Sequence, residues 1–429
     1  MQNSSNGYLF SKGYTNYIYV MLFLLYMFDY IDRVVVTSMF TSIEKDFGIT
    51  HTQSGLLISA VYWSIVIFTL PASILVDRWS RSKTIGIMAI FWSLSTILGA
   101  FTGNYIQLFL SRMMIGIGEA GYAPGGIAMI AGMFPENKRA QKLGLWNASI
   151  PLGTAIGVLL GGVIATRWGW KHAFGIVAIP GMIIAILFLF VKDYKTVDLT
   201  YTNKKNVAVK MNNKHILREF LSKPSLILTY FGIAAVVFVT TSLITWLSAY
   251  FEKTRHLPQG EAGTLASIVM VLAIVGAPIG GFVADKWRKK NMRAHLLYPT
   301  ISTFAAAIFL YAGLNFFTGT MQYIMFLGMG ILVTSFISAA SAVTQDVIHA
   351  GLRAVSFAFA VIIQNLLGSA MAPIVLGKLY DLYDIKTALS ILPFVLILAS
   401  IFFYIASRYY LKDLEKVPKI KVEVQIDSN

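Results

Sequence analysis

The chain of 429 residues contains no cysteine, which excludes disulfides and thiolate metal sites. It is also poor in charge: Asp, Glu, Lys and Arg make up 13% of it, against 56% hydrophobic residues, and that balance excludes an ordinary water-soluble fold. It has no Walker A phosphate loop, no H-E-x-x-H zinc helix and no G-x-S-x-G nucleophile elbow. No catalytic set is visible, no metal site or cofactor is implied, and the chain is not read as an enzyme. With so little soluble sequence, ATP-driven transport would need a partner subunit.

What is present is a series of long apolar runs. A membrane span takes about 20 mostly apolar residues. Twelve stretches qualify: 17–40, 54–76, 84–103, 106–134, 143–166, 172–191, 225–251, 262–284, 295–317, 320–348, 354–378 and 387–408, numbered here as spans 1 to 12. The expected fold class is an all-α membrane protein of twelve transmembrane helices. The residues before span 1 are polar, carry only Lys12 and show no cleavage-type site, so span 1 is read as retained and as the insertion signal.

The net charge of +15 has a topological meaning. With the N-terminus in the cytoplasm, 26 of the 35 basic residues fall in cytoplasmic segments; Lys45, Arg167, Lys171, Lys253, Arg255, Lys378 and Lys386 fall on the other side, and Arg33 and Arg112 within spans. This is the positive-inside asymmetry, which puts both termini in the cytoplasm. The basicity orients the chain in a lipid bilayer and does not indicate a nucleic-acid partner.

One long hydrophilic interior stretch divides the chain into an N-terminal six-helix bundle (1–191), a cytoplasmic linker (192–223), a C-terminal six-helix bundle (224–408) and a cytoplasmic tail (409–429). The linker is basic, so it is either a solvated connection or a contact for anionic lipid. The halves repeat one another. Asp77-Arg78-Trp79-Ser80-Arg81-Ser82-Lys83 follows span 2, and Gly281 to Lys290, with Asp285-Lys286-Trp287-Arg288, follows span 8. Arg139-Ala140 after span 4 has its counterpart in Arg353-Ala354 after span 10. Parallel six-span repeats place a substrate site at their interface, near the membrane midplane.

The two loop motifs resemble the G-x-L-A-D-R-x-G-R-K signature of the major facilitator superfamily, with Ser73 and Ser80 at glycine places in the first copy and Lys286 for arginine in the second. The resemblance implies two pseudo-symmetric six-helix bundles, with Asp77, Arg78, Arg81, Asp285, Lys286, Arg139 and Arg353 gating the cytoplasmic side. Asp346, at the cytoplasmic end of span 10, is grouped with that gate. Tyr30-Ile31-Asp32-Arg33 in span 1 looks like the N-Y-x-D-R motif of the anion:cation symporters, with Asp29 as a local departure, and spinster-like lipid transporters share a similar pattern. Arg112, Gly116, Gly118, Glu119 and Ala120 resemble the R-x-x-x-G-x-G-E-A stretch of span 4 in both groups.

Independently of resemblance, Asp29, Asp32, Arg33, Arg112 and Glu119 stand inside spans 1 and 4. Ionised groups at bilayer depth are costly and mark solute or ion paths. Asp29 and Arg33 are i,i+4 and can pair. Arg112 and Glu119, seven apart, share one helix face, with Gly116 and Gly118 leaving room between them. Three carboxylates against two guanidiniums leave one surplus negative charge, which a proton on one carboxyl removes. Glu119, Asp32 and Asp29 are therefore the candidate proton carriers, and Arg33 and Arg112 the candidate anion-binding bases. The sugar-acid symporter resemblance implies the same assignment for Glu119, Asp32, Arg33 and Arg112. The bland alternative is that the five charges only brace spans 1 and 4.

The second half offers neutral groups instead: Thr240, Thr241, Thr245, Ser335, Ser338, Gln364, Asn365 and Ser369. Thr241, Gln364 and Asn365 are taken as substrate contacts, with Tyr62 and Tyr122 from the first half. Hydroxyls in a span also bond back to their own helix. Gly153, Gly157, Gly161 and Gly162 in span 5 are similar to the glycine-rich segment of drug and proton antiporters, but Val158 stands where its proline belongs. Close helix packing explains them equally.

The expected function is secondary active transport of a small organic anion with protons by alternating access, by a monomer in a bacterial inner membrane. The rivals are an exporter or flippase of an amphipathic solute such as a lysolipid, and a non-transporting membrane receptor.

Overall fold

The computed structural model of the protein describes residues 9–193, 219–349 and 352–417. Its elements are helices, and they assemble the twelve expected spans. Span 1 is Lys12–Val34, a 3-10 turn Val35–Met39 and Phe40–Phe47; spans 2 and 3 are His51–Arg78 and Arg81–Gly99. Span 4 is split into Tyr105–Glu119 and Tyr122–Met133, and span 5 into Glu136–Asn147 and Ser149–Trp168. Span 6 is Trp170–Phe188, and spans 7, 8 and 9 are Pro224–Arg255, Gln259–Arg288 and Ala294–Asn315. Span 10 is split into Gly319–Ser335 and Ile337–Asp346, and span 11 into Arg353–Ile363, a π-turn Gln364–Ser369 and Ala372–Leu382. Ile385–Leu389 and Leu392–Glu415 form span 12, so the last helix continues past the predicted bundle limit of residue 408. Most of the predicted linker and of the tail lie outside the described residues.

Ten segments are long and apolar enough to cross a membrane by composition alone. The two left out are spans 1 and 4, which carry the five intramembrane charges. The interruptions follow the repeat: spans 4 and 5 are broken, and so are their counterparts, spans 10 and 11. Span 7 is one unbroken helix, whereas span 1 changes from α to 3-10 geometry at Val35. The first half alone therefore opens the helix of its first span, next to the charges.

Polar caps set the helix starts. Thr50 accepts from the Gln53 amide while the Gln53 side chain accepts from the Thr50 amide, a reciprocal capping box that starts span 2. The span 5 glycines are packing positions. A Cβ at Gly153 would stand 2.3 Å from the carbonyl oxygen of Met27, and one at Gly161 2.3 Å from that of Val35. Span 5 thus lies backbone to backbone against span 1, which holds the 3-10 turn in place.

The two halves meet at the face opposite the termini. There the Asp381 carboxylate of span 11 accepts from the backbone amides of His51 (2.8 Å) and Thr52 (2.9 Å), the first amides of span 2. The His51 ring stacks on Tyr380 with centroids 3.6 Å apart. Thr41 donates to Glu252, and Ser42 to Gln259. Gly55 brings span 2 so near span 11 that a Cβ would lie 2.2 Å from the Pro373 oxygen. At the face bearing the termini, the described ion pairs stay within one half, as Arg288 with Asp346 does at 2.8 Å.

Candidate functional site

Arg33 is the centre of the site. Its Nη2 pairs with Asp29 at 3.1 Å and with Glu119 at 2.9 Å, and its Nε donates to the same Glu119 oxygen at 3.1 Å. The i,i+4 pair read from the sequence is present, and a carboxylate from span 4 closes on the guanidinium from the other side. The guanidinium carbon lies 4.4 Å from the Tyr30 ring centroid and 5.4 Å from that of Tyr62, within cation–π range of both. Tyr30, quoted in the motif but given no role, owes its place to helical spacing, three residues before Arg33. The hydrogen bonds to Asp29 and Glu119 come from Nη2 and Nε, and the Tyr62 hydroxyl stands within reach of the same guanidinium.

Arg112 does a different job. It is fully buried and donates to main-chain oxygens: Nη1 to Asp32 at 2.8 Å, Nη2 to Arg33 by a short bond, and Nε to Leu57 at 3.4 Å. The Asp32 and Arg33 carbonyls are the ones set free where span 1 leaves α-helical geometry, so a forked cation satisfies acceptors that a continuous helix would have used internally, and its third bond ties it to span 2. Sequence spacing put Arg112 and Glu119 on one face of span 4; in the structure one turns to the backbone of spans 1 and 2, and the other to Arg33.

Asp32 is buried, and neither carboxylate oxygen has a hydrogen-bond partner among the described residues. The second Glu119 oxygen, Oε1, is likewise unpartnered, as are the buried side chains of Ser64, Trp92 and Ser93. Native interiors leave few such groups, and a concentration of them in one place requires an explanation. An exchangeable proton or solute would supply one.

The remaining residues singled out in the sequence are distributed as follows. Tyr122 is fully buried, and its hydroxyl donates to the Leu22 carbonyl, which also accepts from the Trp146 indole at 3.2 Å. Tyr26 stacks on Trp146 at 4.2 Å beside it, so these aromatics support span 1 from behind. In the second half, Thr245 donates to the Thr241 carbonyl and Thr240 to that of Val237, the back-bonding weighed above. Gln364 and Asn365 open the π-turn of span 11; Asn365 accepts from Ser369 at 3.3 Å, and the half-buried Gln364 side chain forms no hydrogen bond among the described residues. π-turns inside helices are frequent at functional sites.

At the terminal face, Asp77 and Arg78 end span 2, and their side chains lie outside those described. Arg81 begins span 3. Arg139 donates to the Phe134 carbonyl and Arg353 to that of Gln345, each within its own half. The second loop motif forms a chain of contacts: Asp285 to His295 at 2.8 Å, His295 to Arg288 at 3.0 Å, and Arg288 to Asp346. Lys286 is exposed, so in this conformation Arg288 supplies the cation that pairs with span 10. His295 and the opposite-face contacts of His51, Tyr380 and Asp381 were not singled out in the sequence. The capping box at Thr50 was the available sign of a helix start there.

The sequence profile of the Major Facilitator Superfamily matches residues 22–373. The protein is 26% identical to "Protein spinster homolog 1" of Xenopus laevis, over 93% of this chain and 82% of that one. It is 28% identical to the "Hexuronate transporter" of Bacillus subtilis (strain 168), over 72% and 74% of the two chains. The crystal structure of a bacterial homolog to the human lysosomal transporter Spinster, in an inward-facing and unoccupied conformation, superposes with a TM-score of 0.84 over 94% of this chain and 99% of that chain, at 21% identity, and so shares the fold. Twelve spans in two repeated halves, a charged site between broken helices and a profile match over most of the length agree: the chain belongs to the Major Facilitator Superfamily, as an integral multi-pass membrane transporter and not an enzyme.

Proposed function

We propose that this transporter imports a small organic anion, a sugar acid or related carboxylate, together with protons. The observation that carries the reading is Arg33 held between Asp29 and Glu119 in a buried site, with one Glu119 oxygen unpartnered. With Asp32 and Arg112 included, the buried cluster holds three carboxylates and two guanidiniums. An arriving carboxylate would raise the surplus negative charge from one to two in a medium that screens poorly. A proton on Glu119 removes one charge and loosens its hold on Arg33, so the anion can bind. Asp32, buried with the Trp92 indole as its nearest donor, offers a second proton place. Anion and proton then favour each other's binding, which is the requirement for symport.

Arg33 serves as the anion base in this scheme. Arg112 keeps span 1 in its broken form and so fixes Arg33 between Asp29 and Glu119. Tyr62 flanks the anion, and Gln364, Asn365 and Thr241 supply hydrogen bonds from the second half. The hexuronate solute named for the Bacillus relative is a sugar acid, the class this site suits. The excess of basic residues on the terminal face supports a cytoplasmic placement of that face; on this reading the protein works as a monomer in a bacterial inner membrane. Asp77, Arg78, Arg81, Asp285, Lys286, Arg139 and Arg353 latch the cytoplasmic side when the opposite face opens.

The test is substrate-induced current in proteoliposomes across a panel of sugar acids, aromatic acids and lysolipids. A pH-dependent inward current with one carboxylate class is expected. Glu119→Gln should abolish proton-driven accumulation while counterflow exchange of the same anion persists. Silence with every acid, and activity with lysolipids, would replace this reading with that of an amphipath exporter. Equal loss of folding in Glu119→Gln and Arg112→Ala would reduce the cluster to a brace.

A further inference from the structure

Away from the central site, a groove of about 350 Å³ runs along the outer surface between spans 9 and 12. Its walls are Thr300, Ile301 and Phe304 on one side, and Ile397, Ser400, Ile401 and Tyr404 on the other. Its two aliphatic hydroxyls are spent within the helices: Ser400 donates to the Thr300 carbonyl at 2.9 Å, and Thr300 to its own helix at Leu296. That leaves an aliphatic and aromatic channel on the surface turned to lipid.

Both walls end in an arginine at the same level. On span 9, residues 293, 297, 301 and 304 follow at intervals of four, four and three, so Arg293 continues the face of Ile301 and Phe304. On span 12, residues 397, 401, 404 and 408 follow at intervals of four, three and four, so Arg408 continues the face of Ile401 and Tyr404. At about 1.5 Å rise per residue, the two arginines lie roughly 10–12 Å from the Thr300–Ser400 contact toward the terminal face. A leaflet's hydrocarbon is about 15 Å deep, so an acyl chain filling the groove places its headgroup near this level. Arg408 donates to the Tyr404 hydroxyl, and its guanidinium carbon lies 4.9 Å from that ring centroid, which keeps the cation at the mouth of the groove. Neither arginine forms an ion pair among the described residues, although acidic partners serve Arg33 and Arg288 elsewhere.

We propose that the groove between spans 9 and 12 binds one anionic phospholipid of the terminal-face leaflet, with an acyl chain along Ile301, Phe304, Ile397 and Ile401 and its phosphate between Arg293 and Arg408. The groove supplies shape and the arginine pair supplies charge. Either alone is generic in a membrane protein; their alignment along both walls defines a site. It is separate from Arg33 and holds whatever the transported solute is.

The test is native mass spectrometry of the full-length protein released from detergent with phosphatidylglycerol or phosphatidylcholine. Wild type should retain phosphatidylglycerol in preference. A basic residue near a membrane surface changes lipid attraction about five-fold, so Arg293→Gln/Arg408→Gln should lower retention roughly 25-fold. Lys289→Gln/Lys290→Gln, which removes two charges of the same loop off this face, should leave it unchanged. Ile401→Trp, which fills the groove and keeps both arginines, should also abolish the preference, while inorganic phosphate should not compete. Equal retention of the two lipids by wild type overturns the proposal, as does equal loss in both double variants. A cross-linked dimer across spans 9 and 12 in wild type would assign the groove to a second copy of the chain instead.

Discussion

The contact between Asp381 and the first amides of span 2 makes a sharp prediction about the transport cycle. The first amides of any helix lack partners within it. In span 2 the Gln53 amide is met by Thr50 of the same half, whereas the His51 and Thr52 amides are met by a carboxylate from the other half. The cap is made only while the halves touch, so it stabilises the closed state of that face alone. Removing a helix N-cap costs about 0.5–2 kcal/mol, and water replaces part of the loss at this exposed site. Asp381→Ala should therefore destabilise the closed state by ~1 kcal/mol, a change of about five-fold in the ratio of closed to open. The absence of native cysteine permits spin labels at single introduced cysteine pairs across this face, with distances read by pulsed electron resonance. The open-face population should rise about five-fold. Asp384→Ala is the control, because Asp384 caps the short helix Ile385–Leu389 through Thr387 within one half, and it should leave the distances unchanged. An unchanged distribution in Asp381→Ala would falsify the argument that this cap biases the gate.

Other consequences concern the bundle itself. Arg112→Lys replaces a fork that reaches three carbonyls by a single ammonium; leaving even one buried acceptor unmet costs about 1–3 kcal/mol, seen as a lowered Tm in detergent. Transport should fall with it even where the folded protein is recovered. Gly161→Val should prevent the approach of spans 1 and 5, because a Cβ there would meet the Val35 oxygen; loss of the monodisperse peak on size exclusion checks it.

Much of this arrangement was legible in the sequence where its cause is local. The Asp29–Arg33 pair follows from helical spacing alone, and twelve apolar runs gave twelve spans because bilayer thickness fixes their length. Asp346, grouped with the gate in the sequence, pairs with Arg288 of the neighbouring span 8, a partner that spacing within span 10 does not reveal. The use of Arg112 was hidden, because it depends on a 3-10 turn that span 5 imposes through glycine contacts far away in sequence. The Asp381 cap was hidden for a similar reason: an acid at one helix end is ordinary until the fold brings another helix's first amides to it. Helix breaks in spans 4, 5, 10 and 11 were invisible to hydropathy, which averages over them.

The charges of spans 1 and 4 also bear on how the protein is made. Span 1 leaves the ribosome with Asp29, Asp32 and Arg33 before the segment holding Arg112 and Glu119 has been synthesised. An acidic or basic residue at a helix centre opposes insertion by about 2.5–3.5 kcal/mol, and only Asp29 and Arg33 can offset each other at that stage. The first span is thus a poor membrane segment until the fourth arrives. Its apolar run from Tyr19 to Phe28 must hold it at the insertion machinery while spans 2 and 3 follow. The order of synthesis therefore makes completion of the charged cluster, rather than emergence of any single helix, the committing step in assembly of the N-terminal half.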